Sequence, residues 1–126
     1  MMLSPNERAL LLTALKASDD SLFQILGEDA NRVSLGIAPH DPSALIEVGK
    51  HRLRSIFIDL RFQLCSSPFR KALHHADASD DRRALLAILD IVLTQYGFLP
   101  AVSVTVLLSR GLLEKWCRDE SGVPDV

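Results

Sequence analysis

The side chains best able to do chemistry in this sequence are two neighbouring histidines, two cysteines and a run of cations. His74 and His75, with Asp77, Asp80 and Asp81 close behind, form its densest group of potential metal ligands. Adjacent positions on a helix point about 100° apart. The two imidazoles therefore do not make the one-face pair that a spacing of four would give. No HExxH, HxH or closed ligand set accompanies them. They read as surface histidines near a helix end, where a cation answers the helix dipole, and neither a metal nor another cofactor is expected.

Cys65 and Cys117 could serve as nucleophiles with His51 or His74 as base. No nucleophile elbow supports this, and the CxxC or Cys/His spacing of a zinc site is missing. Two cysteines also make a weak case for a disulfide framework. Both read as ordinary buried thiols of a protein in a reducing, cytoplasmic setting. Gly27 and Gly36 are isolated, so no glycine-rich phosphate loop is present. The pairs Asp19/Asp20 and Asp80/Asp81 fall where helices should begin and read as caps. No catalytic residue is expected, and the chain reads as a non-enzyme.

The cations are distributed unevenly. Residues 1–49 carry three basic and seven acidic side chains, residues 50–71 six and one, and residues 72–126 five and eight. On a helix, Lys50, Arg54 and Arg61 form a stripe beside an apolar seam, with Arg70 and Lys71 beyond the next turn. Such a stripe reads first as a solvated face that complements the chain's own acidic flanks, and beyond that it suits an acidic protein surface or nucleic-acid phosphates. The net charge of −2, the isoelectric point near 6.0 and the few aromatics available for stacking disfavour nucleic acid. Nucleic-acid binding is the alternative to a protein contact.

Helices must position these groups. Ser4-Pro5-Asn6-Glu7 has the form of a capping box and opens a helix over about 5–17. Ser18 to Ser21 offer caps for a short helical turn, Leu22 to Leu26, which Gly27 would close. Residues 28–40 read as a loop with a helical turn near 29–33. Asp41-Pro42 opens the longest periodic segment, to about Cys65. Its residues Ile46, Leu53, Phe57, Leu60 and Leu64 share one face, while Val48, Ile58 and Phe62 lie roughly opposite. A short helix should follow from Pro68 to about His75. The next runs from Ser79 or Asp80 to Tyr96, stopped by Gly97; Arg83, Asp90 and Thr94 form its narrow exposed strip.

Residues 101–108 are the ambiguous stretch, because Val102, Val104, Val106 and Leu108 alternate with Ser103 and Thr105 as in a half-buried strand. No other segment offers a partner strand. A helix over about 100–118 is the better reading, with Gly111 permitting close packing. The residues from about 120 to 126 should fray.

With 126 residues, 48% apolar and 24% charged, the chain should fold as one domain, 1–126. The expected fold is all-α, a compact bundle of five or six helices around the long helix 42–65. No apolar stretch approaches the roughly 20 residues that a membrane span needs. The mean hydropathy of +0.16 leaves an apolar surplus for an interface. The expected function is a protein–protein interaction module, a small adaptor, regulator or assembly subunit. It would self-associate or hold a protein partner through Ile58 and Phe62, with Lys50, Arg54 and Arg61 as a neighbouring charged patch.

Overall fold

A computed structural model describes residues 3–33, 41–66 and 82–118, apart from the side chains of 31–33 and 82. The helices are α1 (Pro5–Lys16), α2 (Asp19–Val33), α3 (Pro42–Cys65), α4 (Arg82–Leu93), α5 (Phe98–Leu107) and α6 (Leu113–Arg118). No strand occurs among the described residues, and the all-α bundle with its long helix 42–65 is what the sequence leads one to expect. The expected helix 68–75, His74, His75, the caps at 79–81 and the tail from 120 lie outside the described residues.

Local signals set the helix starts. The Glu7 amide donates to Ser4 Oγ at 3.1 Å, and the Ser4 amide donates to Glu7 Oε1 at 2.9 Å. This completes the capping box of α1. Ser18 Oγ accepts from the Ser21 amide at the start of α2, and Asp41 Oδ1 from the Ser43 amide at the start of α3. Each bond satisfies an amide that the first turn leaves without a partner.

Gly27 does not close α2. The helix continues through it to Val33, because Gly27 is a packing residue. A Cβ built on Gly27 would run into the carbonyl oxygen of Leu45 and stand 2.9 Å from its carbonyl carbon. Gly49 meets the backbone of Phe23 in the same way, 2.6 Å from the carbonyl carbon and closer still to the oxygen. Each glycine lies against the residue four positions before the other. The two helices therefore cross antiparallel with backbone nearly touching backbone.

Residues 101–108 are helical. Every residue from Pro100 to Ser109 is buried, including Ser103 and Thr105 at 2% and 1% exposure. A helix satisfies its backbone groups internally, which a lone strand amid helices cannot do. The apparent alternation arose because two small hydroxyl residues share a segment enclosed on all sides. α5 is the rod against which α1, α2 and α4 pack, and α3 lies against α2, α4 and α6. The inner side of α3 contributes Leu53, Ile56, Phe57, Leu60 and Leu64, all fully buried. Asp90 and Arg83 are exposed on α4, as is Thr94 just past its end.

The expected single helix 100–118 is bent. A π-type turn, residues 108–112, joins α5 to α6, and Gly111 adopts φ = +100°. Only glycine takes this conformation readily. A Cβ there would meet nothing within 4 Å, so Gly111 serves the bend and not close packing. Gly97 likewise caps the start of α5, with extended backbone.

Arg110 ties the bend to the α1–α2 corner. Its Nη1 donates to Asp19 Oδ1 at 2.6 Å, and its Nη2 to the carbonyls of Ala17 at 2.8 Å and Leu15 at 3.2 Å. A cation thus meets carbonyls that the end of α1 leaves unpaired. Replacing Arg110 with alanine should lower stability by about 1–3 kcal/mol. Asp19→Ala should cost under about 1 kcal/mol, since that carboxylate is largely exposed. Urea titration of both variants checks the order, and equal losses would contradict it.

Candidate interaction face on α3

The five positions expected to meet a partner all lie on α3, and the helix divides them into two kinds. Ile58 is 51% exposed and Phe62 is 82% exposed. They are one helical turn apart, so their side chains form one patch. Arg54, a turn before Ile58, is half-buried and forms no ion pair among the described residues. Val48, expected on the same outer side, is half-buried instead.

The remaining cations have partners within the chain. Lys50 Nζ stands 3.4 Å from Glu47 Oε1 and 5.9 Å from the centre of the Phe23 ring. The Arg61 guanidinium lies 5.4 Å from the centre of the Phe57 ring. Such contacts are worth about 0.5–1 kcal/mol at exposed sites. The basic stripe is therefore mostly drawn back onto its own helix and the helices beside it.

Beside Phe62 a shallow groove of about 530 Å³ is lined by Ile58, Asp59, Arg61, Cys65, Ser66 and Cys117. These cysteines form a disulfide, with Cα atoms 5.5 Å apart. This corrects the reading of two buried thiols. The fold brings the last residue of α3 beside α6 across 52 residues of sequence, a proximity that no local spacing reports. A closure of this span typically stabilises a chain by about 2–4 kcal/mol. Neither sulfur is a thiolate nucleophile in this state. His51 is exposed and sits fourteen residues before Cys65, about 21 Å along the helix, far beyond proton-transfer reach.

One polar cluster escaped sequence analysis. Arg52 bridges toward Asp29 of α2 at 3.7 Å, and its guanidinium lies 5.3 Å from the centre of the Tyr96 ring. The Tyr96 hydroxyl donates to Asp59 Oδ2 at 2.9 Å. The cluster joins α2, α3 and the turn after α4. Its contacting pairs from different elements are 23 to 44 positions apart, so periodicity within one helix does not reveal it. Burial raises the Tyr96 pKa, the hydrogen bond to Asp59 and that carboxylate's charge raise it further, and Arg52 partly opposes them.

The consequence has a definite sign. The folded pKa lies above the unfolded value near 10, so this group's contribution is complete below that value. It is lost as pH rises through the raised folded pKa. Tyr96 is the chain's single tyrosine, and its ultraviolet titration should give a midpoint above the ordinary value. Asp59→Asn should bring the midpoint down. An unshifted midpoint in the wild type would contradict the arrangement.

Among the described residues, no three His, Cys, Asp or Glu side chains are grouped to hold a metal ion. No described helix is long and apolar enough to cross a membrane. Comparison with protein-family models, with curated proteins and with solved structures gives no significant match.

Proposed function

We propose that this chain is a protein–protein interaction module that works through helix–helix contact on the outer face of α3. The observation that carries the reading is the adjacent exposure of Ile58 and Phe62, at 51% and 82%, in a helix whose inner residues Leu53, Ile56, Phe57, Leu60 and Leu64 are fully buried. Exposing two large apolar side chains together on a small domain leaves apolar area that an association would remove from water. The flanking Arg54 and Arg61 supply a polar rim, where charge contributes orientation and encounter rate more than affinity.

A photo-crosslinking phenylalanine analogue at position 62 should capture a protein in the native cellular setting. The same analogue at exposed Gln63, about 100° around the helix, should capture much less. Equal capture at both positions, or none at 62, would refute the reading. The second reading, a nucleic-acid-binding subunit, rests on Arg54, which forms no ion pair among the described residues. It predicts binding that weakens steeply with salt and falls on charge reversal at Arg54 and Arg61. The partners found for Lys50 and Arg52 favour the protein contact.

A cytoplasmic setting belongs to the first reading and carries its own test. In a reducing pool Cys65 and Cys117 would be open thiols. Two alkylatable cysteines in protein trapped directly from cells support that setting, and finding neither alkylatable would place the chain in an oxidising compartment.

A further inference from the structure

The outer row of α3 is complementary to itself when reversed. Arg54, Ile58 and Phe62 follow one another at intervals of four, within about 80° of the helix circumference. The cation and the ring are thus equally spaced on either side of an exposed isoleucine. They are eight residues, or about 12 Å of helix, apart. That distance is too long for the two side chains to meet within one chain.

The other α3 cations make the gap conspicuous. Lys50 lies over Phe23, Arg52 over Tyr96 and Arg61 over Phe57. Among the described residues Arg54 is the α3 cation with no ring beneath it, and Phe62 is the α3 ring with no cation above it. A second helix running antiparallel and centred on Ile58 supplies what both lack.

We infer that the occupant of this face is a second copy of the chain, docked by a two-fold antiparallel pairing of α3 about Ile58. The inference rests on the interaction-module reading and names its partner. In this register the residue at position i comes level along the axis with the residue at 116 − i. Ile58 meets Ile58 of the second copy, and Arg54 covers Phe62 of the second copy twice, once on each side of the axis. The contact is isologous, so it closes at two copies. A parallel pairing would set Arg54 beside Arg54, a like-charge contact that works against that alternative.

Complementary variants test both the partner and the register. Arg54→Glu and Phe62→Lys are made separately in the disulfide-bonded chain, and helical circular dichroism checks that each still folds. Sedimentation velocity across a concentration series should show a wild-type dimer. Each variant alone should weaken the dimer at least tenfold, because each loses both cation–ring contacts.

Mixing the two variants should restore a heterodimer. The carboxylate introduced at position 54 of one copy then faces the ammonium introduced at position 62 of the other, while the remaining Arg54 keeps its Phe62. A wild-type chain that stays monomeric at millimolar concentration overturns the inference. So does a dimer indifferent to both variants, or a mixture that fails to recover. A monomer that still crosslinks to another protein from position 62 overturns this inference and leaves the interaction-module reading intact. A monomer that crosslinks to nothing removes both.

Discussion

Replacing Gly49 with alanine is expected to lower the stability of this protein by about 3 kcal/mol or more, with a fall in Tm of about 10 °C or more. Helix propensity alone predicts the opposite, since alanine is favoured over glycine by about 1 kcal/mol in a helix interior. The sign is decided by what the new methyl group would meet. Its neighbour would be the backbone carbonyl of Phe23 on another helix, 2.6 Å away at the carbon. A side chain could rotate aside, whereas a carbonyl held in the α2 hydrogen-bond ladder moves only with its helix. Gly27→Ala should act similarly through Leu45. Separating the helices would also loosen Leu22, Phe23, Leu26 and Leu53, all buried in the core. Gly97→Ala is the control, because its Cβ would meet only the Pro100 ring at an ordinary 3.9 Å. Thermal unfolding of the three variants separates the cases. A Gly49→Ala protein as stable as wild type would mean that α2 and α3 do not approach this closely.

The same glycines mark where local sequence reasoning stops. Gly27 follows a short amphipathic turn and has the context of a helix terminator; nothing in its neighbourhood says that Leu45 lies against it. The helix starts were legible because caps act within three residues, as at Ser4 and Asp41. The inner face of α3 was legible because a 3.6-residue period reports one buried side. Enclosure removed that signal in α5, where Ser103 and Thr105 are as buried as the valines and the period carries no direction. The disulfide, the Arg110 clamp and the cluster around Tyr96 are tertiary facts. Each joins residues that meet only after the helices are placed. The candidate site was more readable than these, since exposure of Ile58 and Phe62 follows from their position opposite the core face of a single helix. Which neighbouring cations would already be occupied was not readable, because the rings beneath Lys50 and Arg52 come from α2 and the turn after α4.

Phe57 and Phe62 test the division between the two sides of α3, and their truncations should differ in every respect. Phe57 is fully buried and packs edge-on against Trp116, with ring centres 5.1 Å apart and planes at 63°. It joins the middle of the bundle to α6 and carries Arg61 on its outer side. Phe57→Ala removes this ring from a filled core and should cost about 3–5 kcal/mol, part transfer energy and part cavity. The edge-to-face contact accounts for about 0.5–1.5 kcal/mol of that loss. Trp116 is the chain's single tryptophan, so its emission should shift in the folded variant and report the changed contact directly. Phe62→Ala, at an 82% exposed position, should change stability by no more than about 0.5 kcal/mol. Its effect should appear only in association. A Phe62→Ala chain that unfolds as easily as Phe57→Ala would show that the outer ring is part of the core. Loss of association without loss of stability would place the function of α3 on the side that the core does not use.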